Sequence, residues 1–166
     1  MKIGIVGRGF VGSAVQFGFS PNTGCDAEVK VYDKDPNKSL HTLEETVNDS
    51  DFIFLSVPTP SNGDGTINLD IVDEALCDIN NISKKDNIIL LRSTMVPGST
   101  RAFQDKYPDL NLVFNPEFLT ERSANFDFIN QSRYIIGGDS QHTSKVADMY
   151  RWRFGESISV IETLCL

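Results

Sequence analysis

Lys2-Ile3-Gly4-Ile5-Val6-Gly7-Arg8-Gly9-Phe10-Val11-Gly12 joins a short apolar strand to a Gly-x-Gly-x-x-Gly turn with no residue to spare. Glycines at this spacing occur by chance in turn-rich chains, so the weight of the pattern lies in its flanks, a strand before and a helix after. In that setting Gly7 permits the tight turn out of the strand and Gly9 lets the backbone approach a pyrophosphate. Gly12 lets the helix pack closely on the sheet. The helix, read as Phe10 to Phe19, turns the free N–H groups of its first residues, Phe10 and Val11 among them, toward the anion. A second apolar strand, Glu28-Val29-Lys30-Val31-Tyr32, ends at Asp33, 21 positions beyond Gly12. A dinucleotide-binding unit places there the carboxylate that accepts hydrogen bonds from the adenosine ribose. Such an acid selects NAD over NADP because it repels a 2′-phosphate, while Lys34 beside it acts in the opposite sense.

With 166 residues, 40% of them hydrophobic, the chain can bury one core and has no room for a second full domain. Its formal charge of −8 argues against nucleic acid or an anionic membrane as the main partner, so any anion site must be local. Met1 runs directly into a strand, without the basic start and apolar core of a signal peptide. Nowhere are there the roughly 18 consecutive apolar residues of a membrane-spanning helix. The expectation is a soluble, cytoplasmic protein. Cys25, Cys77 and Cys165 are odd in number and lack CxxC spacing, so neither a disulfide framework nor a metal site is indicated, and His41 and His142 are too isolated to change that.

Strands and helices alternate along the chain, which predicts an α/β fold with a doubly wound, mainly parallel Rossmann sheet covered by helices on both faces in a single domain. After Asp33 a short helix is expected around Ser39 to Val47, closed by the Asp49-Ser50-Asp51 turn. Phe52-Ile53-Phe54-Leu55-Ser56-Val57 is a near-continuous apolar run, as in a strand buried on both faces, and Pro58-Thr59-Pro60 stops it. Ser61 to Thr66 is turn-forming and expected to be mobile. A helix from Leu69 to Ile82, a strand from Asn87 to Leu91 and a helix from Pro97-Gly98-Ser99 to Lys106 follow. Leu112-Val113-Phe114, Tyr134-Ile135-Ile136 and Ser159-Val160-Ile161 read as later strands, with a helix from Ser144 to Phe154 before the last.

Open parallel sheets bind ligands beyond the carboxyl ends of their strands. Three polar clusters lie at such ends, Val57 to Pro60, Arg92-Ser93-Thr94 and Asn115 to Glu121, and they are expected to converge on one crevice with the glycine turn. Together with Ser93-Thr94-x-x-Pro97-Gly98, Asn115-Pro116-Glu117-Phe118-Leu119-x-Glu121, Ser132-Arg133 and Gly137-Gly138, the chain resembles the N-terminal domain of the UDP-glucose/GDP-mannose dehydrogenases over nearly its whole length. Those enzymes oxidise a sugar C6 alcohol to a carboxylate with two NAD⁺, through an aldehyde, a cysteine thiohemiacetal and a thioester.

The resemblance implies that Val57, Pro58 and Thr59 lie against NAD with Ser93, and that Thr94 sits beside the reacting centre. It puts Glu121 on the family's acid, associated with general base work and thioester hydrolysis, a role that desolvation in a half-closed crevice would favour. Glu117 matches the acid of the Asn-Pro-Glu-Phe turn and, with Phe118 and Leu119, is expected to shape the sugar site in a mainly structural role. Each of these acids also reads as a solvated helix-start carboxylate, and Thr94 as a cap of the next helix. Arg8 either touches a phosphate or faces solvent. Arg122 stands where the family often has a small residue. UDP-glucose is the default nucleotide sugar, with GDP-mannose and UDP-N-acetyl sugars open.

The family's nucleophile, a cysteine in an FGxxCxxKD-like motif, has no counterpart in these 166 residues, and Cys165 lacks its context. Nor is there sequence resembling the central helical domain or the domain that holds the nucleotide end of the sugar. Residues 1–166 are therefore expected to form the NAD-binding domain alone, with exposed apolar surface that meets a missing-domain partner or a second copy. Two other readings share the glycine fingerprint: a stand-alone dinucleotide-binding or regulatory module without chemistry, and a reductase of the 3-hydroxyacid dehydrogenase type. The Ser93-Thr94 and Asn115 to Glu121 motifs count against the latter.

Overall fold

The computed structural model describes residues 1–164; the reading of Cys165 lies outside the described residues. The opening strand β1 (Lys2–Val6) and the run Phe52–Leu55, β3, are apolar throughout their buried lengths, and they pair in parallel with Val6 beside Leu55. β2 (Glu28–Tyr32) flanks β1 on the outer side. β4 (Ile88–Leu91) and β5 (Asn111–Phe114) extend the parallel set from β3, so that Leu55, Leu91 and Phe114 stand level. β6 (Arg133–Gly138) then pairs antiparallel with β5, and β7 (Ser159–Thr163) parallel with β6. The order β2-β1-β3-β4-β5-β6-β7 reverses direction between β1 and β3. That is the switch point where an open α/β sheet leaves a crevice.

Alternation along the buried strands sends successive side chains to opposite faces, and each face carries its own helices. On one side α1 (Phe10–Gly18), α5 (Ala124–Ile129) and α6 (Ser140–Phe154) cover Ile3, Ile5, Phe54, Leu90 and Val113. On the other, α2 (Leu43–Asn48), α3 (Asp70–Ile82) and α4 (Ser99–Lys106) cover Val6, Ile53, Leu55, Ile89 and Leu91. The expected doubly wound architecture is the one observed, and no helix among the described residues is long and apolar enough to cross a membrane.

Several boundaries differ from the sequence reading, each for a local reason. α2 starts at Leu43 rather than near Ser39 because Thr42 forms a capping box: its hydroxyl accepts from Glu45 N–H, while the Glu45 carboxylate accepts from Thr42 N–H at 2.8 Å. α6 starts four residues earlier than expected, at Ser140, because the Asp139 carboxylate accepts from Gln141 N–H at 2.8 Å and caps it. β3 stops at Leu55, although Ser56 N–H still bonds Val6 C=O at 2.8 Å. α5 had no sequence forecast; six residues long, it exists because Phe128 buries its ring among Phe19, Tyr134 and Phe154. The Ser61–Thr66 segment is held by its own bonds, Asn62 N–H to Thr66 C=O at 2.7 Å and Thr66 N–H to the Asp64 carboxylate at 2.9 Å.

α1 meets α5 through a glycine. A methyl group at Gly18 would fall inside van der Waals contact with the Phe128 ring, which is fully buried and has nowhere to retreat. Gly18→Ala is therefore expected to destabilise the fold by about 1–3 kcal/mol, the usual cost of overpacking. The check is thermal or urea unfolding, with Gly63→Ala, an exposed turn substitution with open space around it and no left-handed φ, as the comparison.

Candidate functional site

Four residues continue the central strands by one step and mark the carboxyl edge of the sheet. Gly7 N–H bonds Tyr32 C=O at 2.9 Å, Ser56 N–H bonds Val6 C=O, Arg92 N–H bonds Leu55 C=O at 3.0 Å and Asn115 N–H bonds Leu91 C=O at 2.9 Å. The expected crevice opens directly above this row.

The glycine turn passes the end of β3 at close range. Gly7 has φ +94°, a left-handed value, and a Cβ there would stand 2.5 Å from Ser56 O. A Cβ on Gly12 would collide with Gly7 O. Gly9, in contrast, has extended backbone, and a Cβ there would meet nothing within 4 Å. Folding thus demands glycine at 7 and 12 and is indifferent at 9, where the bare backbone borders open space at the start of α1. Packing gives no reason for glycine at 9.

On the β2 side of the turn lies a hollow of about 370 Å³ bounded by Gly7, Gly9, Asp33, Lys34, Val57 and Pro58, with Lys38, Glu74 and Asp78 among its rim residues. The Asp33 carboxylate is set by two backbone donors: Oδ2 accepts from Arg8 N–H at 2.5 Å and Oδ1 from Asp35 N–H at 2.8 Å. It clamps the glycine turn to the end of β2. Arg8 neither reaches into the crevice nor dangles in solvent, because its Nε donates to Gln16 Oε1 at 2.9 Å and its Nη1 to Lys38 C=O at 3.0 Å. Lys34 is drawn toward α3 by Glu74, 2.8 Å away. The hydrogen bond and charge of Glu74 raise the Lys34 pKa above its ordinary value.

On the other side a groove of about 250 Å³ runs over the ends of β3, β4 and β5. It gathers Gly9, Phe10, Val11, Val57, Pro58, Thr59, Ser93, Thr94 and Glu117. Ser93 Oγ donates to Val57 C=O at 2.6 Å and stitches two of the clusters together. Thr94 is exposed in this groove; α4 is capped by Gly98, so Thr94 is not its cap. Glu117 Oε2 accepts from Leu119 N–H at 2.7 Å, closing its own turn.

Convergence is therefore partial. Phe118 faces a separate surface hollow with Phe126, and Leu119 packs on the α1/α5/α6 core. Glu121 is exposed in a single 3₁₀ turn, Glu121–Ser123, outside the groove. That turn is anchored by Asp127, whose Oδ2 accepts from Thr120 N–H at 2.8 Å, Thr120 Oγ1 at 2.8 Å and Ser123 Oγ at 2.9 Å. Asp127, which sequence reading passed over, is thus the residue that fixes where Glu121 stands. Its only sequence signal is the Thr-x-x-Ser-x-x-x-Asp spacing at Thr120, Ser123 and Asp127.

The reversal of strand order at the glycine turn makes this a dinucleotide-binding domain of Rossmann type. The model of the UDP-glucose/GDP-mannose dehydrogenase family's NAD binding domain matches residues 37–153, and the chain belongs to that family, with NAD as the cofactor of the domain. The matched range begins after the glycine turn, so the family model does not draw on that turn. The chain is 33% identical to the UDP-glucose 6-dehydrogenase of Campylobacter jejuni over 90% of its own length, and it spans 45% of that relative. In fold it is similar to a GDP-mannose dehydrogenase from Pseudomonas aeruginosa (TM-score 0.80, 22% identity, 99% of this chain and 47% of that one). It is likewise similar to a UDP-glucose dehydrogenase from Pyrobaculum islandicum (TM-score 0.79, 24% identity, 98% and 45%). The 3-hydroxyacid dehydrogenase reading gives way to this family.

The three hydrogen bonds to Asp127, that of Thr120 N–H foremost, hold its carboxyl below the usual carboxylate range. A depressed folded-state pKa means that the anchor is intact above the unfolded value of about 3.9 and is lost as pH falls through the lower folded value. The Thr120 amide resonance is expected to stay fixed through neutral and mildly acidic pH and to move with a midpoint below about 3.9. In Asp127→Asn the same resonance should be displaced at neutral pH, and no titration should remain at that midpoint.

Proposed function

We propose that this chain is the cofactor-holding part of a nucleotide-sugar 6-dehydrogenase, with UDP-glucose as its sugar nucleotide. The carrying observation is Gly9: packing explains the glycines on either side of it and leaves this one to an external group. The residues fit NAD in chemistry as well. Backbone N–H groups at the start of α1 and the bare Gly9 suit the pyrophosphate, and the preset Asp33 carboxylate suits the ribose hydroxyls while opposing a 2′-phosphate. Bound NAD⁺ would supply the hydride acceptor.

The chain's own residues divide the remaining work. Val57, Pro58 and Thr59 line the crevice on the β3 side and exclude water from it, Ser93 holds Val57 in place, and the exposed Thr94 hydroxyl faces the reacting centre. Glu117 orders the turn that leads to Glu121. Glu121 handles a proton once further polypeptide closes over it. A covalent route needs a positioned thiolate. The FGxxCxxKD-like motif that would bring one is not in these 166 residues, so the isolated chain binds NAD without turning sugar over.

Calorimetric titration of the 166-residue chain with NAD⁺ and, in parallel, NADP⁺ tests this reading. Selective NAD⁺ binding is the expected result, and binding of neither would sink it. Asp33→Ala should weaken NAD⁺ by about ten- to a hundredfold, the worth of one charge-assisted hydrogen bond. Gly9→Val should abolish binding while leaving the unfolding midpoint near that of the parent, since its side chain has open space to occupy. An unchanged affinity in either variant removes that residue from the site.

A further inference from the structure

Across the ends of β3, β4 and β5 runs a polar row, Ser56, Arg92 and Asn115, that protein packing leaves incomplete. Asn115 is fully engaged: Oδ1 accepts from Arg92 Nη1 at 2.7 Å and from Tyr150 OH at 2.5 Å, and Nδ2 donates to Ile135 C=O at 2.9 Å. Arg92 is only 2% exposed, yet its Nε and Nη2 have no partner among the described residues, and neither has Ser56 Oγ in the adjacent register position. The guanidinium lies 5.9 Å from the Phe54 ring centre and 5.8 Å from that of Phe128. Among the described residues no carboxylate stands within ion-pair distance of it.

Arginine does not shed its proton in a protein, so this is a permanent buried charge without a counter-charge. Stability alone gives no reason for it, because a well-packed apolar side chain would serve the core as well or better. Such breaches of local consistency are expected where a chain is shaped for a ligand. The position indicates which part of the ligand. With adenosine against Asp33 and pyrophosphate at the start of α1, the crevice over β3, β4 and β5 is left for the nicotinamide, and Arg92 and Ser56 line it together with Thr94 and Glu117.

We propose that Arg92 sets the redox preference of the cofactor site, its uncompensated charge disfavouring the cationic nicotinamide ring of NAD⁺ relative to the neutral ring of NADH. This rests on the cofactor site proposed above. Glu117, the acid in the same groove, opposes the effect, but its Oε2 is engaged by Leu119 N–H. One unit charge acting through an effective dielectric of ~20 yields a preference for NADH of at least about tenfold at any separation up to ~12 Å.

Titrating the 166-residue chain with NADH, NAD⁺ and ADP-ribose, which lacks the ring, tests the proposal. The unsubstituted chain should bind NADH at least about tenfold tighter than NAD⁺. Arg92→Lys, which keeps the charge, should retain the preference; Arg92→Met should bring the two affinities together and leave ADP-ribose unchanged. Equal affinities in the unsubstituted chain overturn the proposal even if the Met variant fails to fold. So does a Met variant that weakens all three ligands by one factor, as a purely structural residue would. Failure of the unsubstituted chain to bind any of the three sinks the cofactor site itself, a result distinct from binding without preference.

Discussion

The glycine turn lies nearer to strand β3 and to its own helix than any side chain would permit. Gly7 leaves β1 with a left-handed φ and passes directly over the Ser56 carbonyl, and Gly12 packs on the Gly7 carbonyl one helical turn later. Everything around the crevice follows from those two approaches. They place the start of α1 over the switch point, bring Phe10 and Val11 level with Val57 and Pro58, and leave the Arg8 amide where the Asp33 carboxylate can take it. Asp33 is thereby a brace: one carboxylate ties the turn to β2 and stays oriented by the bonds it makes.

The two faces of the sheet are built differently. Aliphatic side chains dominate under α2, α3 and α4, whereas the α1/α5/α6 face carries Phe19, Phe54, Phe128, Tyr134, Tyr150 and Phe154 in ring-to-ring contact. Tyr134 and Tyr150 stack with ring centres 3.9 Å apart. Burial pushes the Tyr150 hydroxyl up to about 12 and that of Tyr134 higher still, so both stay neutral donors. Their bonds, Tyr150 to Asn115 and Tyr134 to Phe128 C=O at 2.9 Å, fasten α6 to the end of β5 and α5 to the start of β6. The aromatic layer is thus the mounting for the Asn115–Glu117 turn, and not only a filler of space.

What was legible in the sequence was what local chemistry decides. Continuous apolar runs gave β1, β3 and β4 within two residues of the observed bounds, and glycine spacing gave the turn. What stayed hidden depends on partners remote in sequence. α5 is too short to show a helical period, and it forms because Phe128 finds a pocket. The antiparallel entry of β6 is set by Gly137 and Gly138 meeting Phe114 and Val113, which no pattern within Arg133–Gly138 declares. Arg92 reads only as part of a polar cluster at a strand end, and its burial follows from Phe54, Phe128 and Tyr150, which β3, α5 and α6 bring around it. The placement of Glu121 outside the groove likewise turns on Asp127, six residues later.

The contrast among the three glycines of the turn carries an evolutionary consequence. Substitution at Gly7 or Gly12 harms the fold, so those positions are held fixed in any descendant that still folds, whatever its use. Gly9 carries no such protection, because open space surrounds it. A lineage relieved of its ligand would be free to lose glycine there by drift long before the architecture eroded. Within one short turn, position 9 is thus open to change without cost to packing while positions 7 and 12 are not, so the demands of folding fall unevenly on three glycines that look alike in sequence.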